Sequence, residues 1–167
     1  MFRSSAPLVT LAALVALSAC AKKAPDQLPP PPSDASTAIP SGPAGVVPGS
    51  QEDFIASILS DTVHFGTDES DVREQDKSIL QSQAQWLARY SDKRITVEGH
   101  ADERGTRDYN LALGERRANA AKNYLVGLGV APTRITTISY GKERPVALGS
   151  DESSWAQNRR AVTVTIQ

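Results

Sequence analysis

The amino-acid sequence predicts an α/β (α+β) fold: a two-layer sandwich with helices packed on one face of a mixed four-stranded sheet. Three observations predict it. From residue 51 onward, after one short leading helix, strand-like and helix-like segments alternate in the order β-α-β-α-β-loop-β. The strand segments alternate apolar with polar residues, so one face of the sheet meets helices and the other meets water. The longest helical segment gathers Leu111, Leu113, Ala118, Ala121, Tyr124, Leu125 and Leu128 into one arc when projected at about 100° per residue.

Ser50 or Gln51 through Leu59 reads as a short helix with Phe54, Ile55 and Ile58 on one side. Thr62–Phe65 is a short strand. Asp71-Val72-Arg73-Glu74 has the spacing of a capping box, with Asp71 as N-cap and Glu74 reaching back. The helix it opens runs to about Tyr90 and buries Leu80, Ala84 and Leu87. Arg94–Glu98 is a strand with Ile95 and Val97 inward. Helix follows from Arg107 to Leu128, stopped by Gly129 and Pro132. Ile135–Tyr140 is the third strand. A polar loop spans Gly141–Asn158, with one helical turn around Trp155. In Ala161–Ile166 the residues Val162, Val164 and Ile166 alternate with Thr163 and Thr165.

The chain has 167 residues, enough for one folded domain plus tails. Its 18 Lys+Arg and 19 Asp+Glu leave a net charge of −1, which excludes the basic field that nucleic-acid binding needs. One cysteine excludes an intramolecular disulfide and a cysteine-based zinc site. Eight of the 11 prolines lie between Pro25 and Pro48, and this clustering divides the chain into three unlike parts.

Residues 1–19 read as a lipoprotein signal peptide. Arg3 supplies a positive start, and Leu8–Leu17 is apolar apart from Thr10. A membrane span needs about 20 apolar residues, so this stretch is too short to cross a bilayer. Leu17-Ser18-Ala19-Cys20 resembles the bacterial lipobox, against the alternative of an ordinary secretory signal with an incidental cysteine. The resemblance implies cleavage before Cys20, a diacylglyceryl thioether on its sulfur and acylation of the new amino group. Several acyl chains at about 0.8 kcal/mol per buried CH₂ anchor a protein without spanning the membrane. Ala21-Lys22 after the cysteine, where retained lipoproteins carry Asp, implies an outer-membrane location facing the periplasm. Residues 20–50 form the lipidated Cys20 and a Pro-rich disordered tether, with a reach of roughly 90 Å at about 3.1 Å per residue. Residues 51–167 form the folded domain.

The densest polar run, Glu98-Gly99-His100-Ala101-Asp102-Glu103-Arg104-Gly105-Thr106, leaves a strand and enters a helix. Strand ends that feed helix N-termini present free N–H groups and commonly hold ligands, although two glycines and polar residues also suit a plain turn. Arg117 falls inside the apolar arc of the helix that follows. A buried arginine is costly unless paired. It reads either as a structural salt bridge or snorkelling side chain, or as a guanidinium fixed for bidentate capture of a carboxylate. With Asp102 at the helix mouth, the second reading describes a receptor for a zwitterion: Asp102 takes an ammonium and Arg117 a carboxylate. His64 falls on the open face of the sheet, and His100 near Asp102 offers acid–base or metal chemistry. No nucleophile signature accompanies the two histidines and no HExxH-type spacing is present, so no catalytic residue, metal or cofactor is assigned. Arg159-Arg160 borders the last strand and reads as solvated or ion-paired.

The residues Val97–Thr106, Tyr109-Asn110, Leu113–Ala118, Ser139–Glu143 and Asn158–Ala161 closely resemble the OmpA-like C-terminal domain family, in its peptidoglycan-associated lipoprotein branch. The resemblance covers about residues 60–167, and the lipobox and tether stand in the order that branch has. It implies an OmpA-like fold, no enzymatic activity, and non-covalent binding of peptidoglycan through meso-diaminopimelate, whose terminal carbon carries both an ammonium and a carboxylate. Carried over by motif, Asp102 and Arg117 are the principal ligands, Arg104, Tyr109 and Leu113 line the pocket, and Asp68 contributes from a loop. Thr67 stands where the family often has an aromatic, and Arg107 replaces a frequent Pro. The resemblance also implies partnership with TolB of the Tol complex through an overlapping surface, and a role in envelope integrity and cell division. The alternative is an adaptor that mainly docks TolB.

Intact-mass analysis of mature protein should find Cys20 as the first residue, carrying acyl mass; a mature chain starting elsewhere, or lacking lipid, removes the anchor.

Overall fold

A computed structural model describes residues 45–166. The signal segment, Cys20 and most of the tether lie outside the described residues. Helix α1 (Gln51–Ser57) is followed by β1 (Thr62–His64), α2 (Lys77–Arg89), β2 (Arg94–His100), α3 (Arg107–Gly127), β3 (Ile135–Gly141), α4 (Glu152–Asn158) and β4 (Arg160–Ile166). The four strands form one mixed sheet in the order β1-β4-β2-β3. Strand β4 is antiparallel to both β1 and β2, while β2 and β3 are parallel. The C-terminal ends of β1, β2 and β3 therefore share one edge of the sheet with the start of β4. No described helix is long and apolar enough to cross a membrane.

The helices cover one sheet face. Val63, Ile95, Val97, Ile135 and Ala161 point into the core with Leu80, Leu87, Ala118, Ala121 and Leu125 from α2 and α3. Each large aliphatic buried this way contributes about 1.5–3 kcal/mol. Phe54 of α1 packs edge-on against Trp86, with ring centres 5.0 Å apart. Ser50 caps α1 by accepting from Asp53 N, and the preceding Gly49 is buried, so the folded unit includes the last residues before 51. Gly129, at φ 98°, follows the end of α3 in the left-handed region that favours glycine.

Several local expectations are corrected. Ile55 is exposed, because a helix of seven residues buries one line of contact and Phe54 takes it. Strand β1 ends at His64, one residue early. The capping box at Asp71 does not form. Arg73 is extended (φ −68°, ψ 151°), the chain turns through a 3₁₀ turn at Glu74–Asp76, and Glu74 pairs forward with Lys77. Strand β2 runs on to His100, and α4 is a seven-residue helix where one turn around Trp155 was expected. Leu128 of the α3 arc is exposed at the helix end.

The parity of β4 is also opposite to what its valines suggest. Ala161 and Thr163 are buried on the helix side, whereas Val162 and Val164 are half-buried on the open face and Ile166 is exposed. Polar pairing explains this: Thr163 Oγ1 donates to Gln83 Oε1 of α2 (2.8 Å), and Thr165 Oγ1 donates to Gln51 Oε1 of α1 (2.7 Å). A buried hydroxyl with a partner is tolerated where an unpaired one is not.

One contact positions the site. Helix α3 crosses β2 so closely that a Cβ on Gly99 would collide with the Gly114 carbonyl, and a Cβ on Gly114 would collide with Ser139 Oγ. Ser139 Oγ donates to Leu111 O (2.7 Å), locking β3 to the same turn of α3. Gly99→Ala should therefore destabilise the domain by about 3 kcal/mol or more, because backbone cannot yield as a side chain does. Urea unfolding of the purified domain measures this; a loss under about 1 kcal/mol would show that the helix has room to retreat.

Candidate functional site

The shared edge brings together the loop after β1, the loop from β2 into α3, and the start of β4. Arg117, on the buried side of α3, reaches into this corner. Its guanidinium is 0 % exposed. It donates from Nε to Glu69 O (2.9 Å), from Nη2 to Gly66 O (2.9 Å) and from Nη1 to His100 O (2.8 Å). It also lies 5.3 Å from the centre of the Phe65 ring. Of the readings open in the sequence, snorkelling is excluded by its burial, and no carboxylate among the described residues bonds it directly. The side chain is a guanidinium fixed by three main-chain carbonyls. Burial pushes its pKa down to about 10, partly offset by the nearby Asp102, so it stays charged at neutral pH.

Asp102 is 7 % exposed and sits in a tightly braced loop. Gly105 takes φ 84°, Asn110 Nδ2 donates to Arg104 O (2.7 Å), and Lys142 Nζ donates to Glu103 O (3.0 Å) and Gly105 O (2.7 Å). Thr106 then caps α3 by accepting from Tyr109 N (3.3 Å). The Asp102 carboxylate accepts from Arg104 through Nε at Oδ1 (3.1 Å) and Nη2 at Oδ2 (2.7 Å), and from the Arg104 backbone N–H (3.1 Å). Arg159 Nη1 adds a longer bond at 3.4 Å. Burial alone would raise the Asp102 carboxyl, but the hydrogen bonds from Arg104 and Arg159 outweigh it and hold the pKa below the usual carboxylate value.

All six predicted ligand residues, Asp68, Asp102, Arg104, Tyr109, Leu113 and Arg117, line one cavity of about 250 Å³, joined by Thr67, Gly105 and Asn110. Asp68 and Thr67 are exposed at its lip, and Asp68 adopts φ 57°, a left-handed conformation that aspartate tolerates better than most residues. Tyr109 is 43 % exposed and Leu113 forms an apolar wall. The arrangement offers one buried carboxylate and fixed guanidiniums around a space the size of an amino-acid head group.

His100 lies beside this site, but its carbonyl serves the site and its ring does not. The imidazole is 2 % exposed on the open face of the sheet, with both ring nitrogens lacking hydrogen-bond partners. Burial, with Arg160 and Arg144 nearby, pushes its pKa down to about 4. It is neutral at pH 7 and 5.6 Å from the Tyr140 ring. His64 is half-buried on the same open face, across from Arg160. No cluster of three or more metal-ligating side chains occurs among the described residues.

Comparison with known proteins shows the family. Residues 64–159 match the OmpA family. A peptidoglycan-associated lipoprotein of Mesorhizobium japonicum is 50 % identical over 156 residues, covering 93 % of this chain and 89 % of that protein. The chain belongs to the OmpA family, in its peptidoglycan-associated lipoprotein branch. A relative of the same name from Pseudomonas aeruginosa is 51 % identical over 117 residues, covering 70 % of this chain and 69 % of that protein. The crystal structure of the Burkholderia pseudomallei peptidoglycan-associated lipoprotein superimposes with a TM-score of 0.64 at 43 % identity, covering 71 % of this chain and 98 % of that one.

The sequence reading did not place Arg159 or Asn110 at this corner. Arg159 is 5 % exposed, so it is ion-paired and not solvated: Nε donates to Phe65 O (3.2 Å), and Nη2 to Glu152 Oε1 (2.7 Å), besides its contact with Asp102. Arg160 is buried as well, donating to Asn158 O (3.4 Å) and Arg144 O (3.2 Å). Asn110 was visible only as part of a motif. Its position in the first turn of α3, near the buried arc, was the signal that could have found it.

The depressed His100 pKa has a definite sign. Between pH 6.5 and about 4 the unfolded chain binds a proton there that the folded chain refuses, so stability is full above pH 6.5 and falls as pH drops towards 4. The loss should be about 3 kcal/mol. Chemical denaturation across this window should show a shallower pH dependence for His100→Gln than for the unaltered chain; equal slopes would place the titration elsewhere.

Proposed function

We propose that this chain is a non-enzymatic lipoprotein of the outer membrane that holds peptidoglycan non-covalently, through the zwitterionic end of meso-diaminopimelate in the stem peptide. The observation that carries the reading is the buried Asp102 carboxylate facing the same cavity as the fixed Arg117 guanidinium. An ammonium suits the first and a carboxylate the second. Two of Arg117's five N–H groups remain after its three main-chain bonds, and the residue lines the cavity. Tyr109 and Leu113 give the aliphatic chain an apolar wall, and Asp68 adds a second acceptor at the lip. The names of the curated relatives support a wall-binding role. The lipobox at Cys20 and the Pro-rich tether support an anchored domain that works at a distance from the bilayer facing the periplasm. The family resemblance further supports a partnership with TolB of the Tol system through a surface overlapping the cavity, and a part in envelope integrity and division.

Sedimentation with purified sacculi tests the clamp. Removing Asp102 leaves ligand and protein cations facing one another without their anion, so Asp102→Ala should cost about 2–5 kcal/mol of binding while the domain stays folded. Folded Asp102→Ala protein that sediments like the unaltered chain would remove the clamp. Arg117→Ala should also abolish binding, but it removes the side-chain donor from three main-chain carbonyls, so its folding must be measured beside it.

A further inference from the structure

We propose that Arg104 is an internal occupant of the ammonium seat on Asp102, and that a ligand enters by exchanging its own ammonium for this guanidinium. The inference rests on the reading of the cavity given above and concerns how that cavity is controlled.

The hydrogen-bond capacity of Asp102 leads to it. An ionised carboxylate has about four acceptor positions. Here Oδ1 accepts from Arg104 N and Arg104 Nε, both at 3.1 Å, while Oδ2 accepts from Arg104 Nη2 at 2.7 Å and Arg159 Nη1 at 3.4 Å. All four positions are used, so an incoming ammonium has nowhere to bond unless a donor leaves. The two arginine side chains differ in their freedom to do so. Arg159 has a 6 % exposed side chain and is tied to Phe65 O and Glu152 as well as Asp102. Arg104 has a 39 % exposed side chain, and among the described residues its only other side-chain hydrogen bond is a 3.4 Å contact from Nη2 to Thr67 Oγ1 at the lip of the cavity. Its departure frees one position on each oxygen.

The displaced guanidinium also has somewhere to go. It already lies 4.2 Å from the centre of the Trp155 ring, whose indole N–H is held by Glu103 Oε1 at 3.0 Å. The carboxylates of Glu152 and Asp68 act on it electrostatically. A cation moving from Asp102 towards this rim keeps an aromatic face and two anions around it. The exchange is charge-neutral: one cation leaves Asp102 as another arrives, and the carboxylate is never left bare in its buried position. Ligands without an ammonium cannot make the trade, so Arg104 sharpens the preference for a zwitterion.

Arg104 is therefore a competitor for the seat, which reverses the sign expected of a residue that merely contacts the ligand. The test is the affinity of the full folded domain for meso-diaminopimelate by calorimetry, with sacculi sedimentation in parallel. Removing the competing cation in Arg104→Ala and Arg104→Gln should tighten binding about two- to fivefold, the scale of a partly exposed ion pair. Arg104→Lys, which keeps a cation in reach of Asp102 but loses the two-pronged contact, should gain less than either. Asp102 retains Arg159 in all three variants, and thermal unfolding confirms that each is folded. Unchanged or weaker binding by Arg104→Ala and Arg104→Gln, with binding lost in Asp102→Ala, overturns the exchange and leaves the clamp standing. If Asp102→Ala binds as well as the unaltered chain, the clamp itself fails and the exchange with it.

Discussion

The corner that carries the site depends on one buried guanidinium. Arg117 comes from α3, yet its partners are the main-chain carbonyls of Gly66 and Glu69 in the loop after β1 and of His100 at the end of β2. Three segments far apart in sequence are joined through one planar group whose donors point in fixed directions. Burying that charge costs several kcal/mol, offset by hydrogen bonds to charge worth about 1.5–3 kcal/mol each and by the attraction of Asp102. The carbonyls have no other described side-chain donor, so the loop and the strand end lose their common support if the guanidinium goes. A lysine could carry the charge but not the three-way geometry.

Around this support the charges are arranged in layers. Arg117 is the most deeply buried of the three arginines, lines the cavity and shapes the backbone. Arg159 is nearly sealed and joins Asp102 to Glu152 and to the end of β1. Arg104 is half-exposed and holds the carboxylate from the cavity side. The single carboxylate at the centre is kept ionised by these donors against the effect of its own burial. Such a centre holds its charges in fixed positions, and the His100 ring is turned to the other face of the sheet and held neutral at pH 7.

The close crossing of α3 over β2 sets the depth of the cavity. Gly99 and Gly114 permit backbone contact, and this brings the first turns of α3, with Tyr109, Asn110 and Leu113, down onto the ends of the strands. Larger residues at either position would lift the helix and widen the space between Asp102 and Arg117. The precision of the site is thus written partly in residues that have no side chain to contribute.

The strand–helix order, the cores of α2 and β2, the stop of α3 at Gly129 and the inward position of Arg117 were legible in the sequence. All of them follow from periodicity and from local backbone preferences, which act over a few residues. Six of the nine cavity residues were legible as candidate ligands through the family motif. What the sequence could not decide was pairing. The valines of β4 turned to the open face because Thr163 and Thr165 found Gln83 and Gln51 on helices far away in the chain. Asp71 gave up its capping box because Val72 packs on the core and the chain stays extended at Arg73. Arg117 and Asp102 proved to be neighbours facing one cavity instead of direct partners, each bonded to groups brought by the sheet topology. Local sequence determines which residues are apolar, charged or free to turn; only the tertiary structure determines which donor reaches which acceptor, because those bonds close loops of tens of residues that no local pattern encodes.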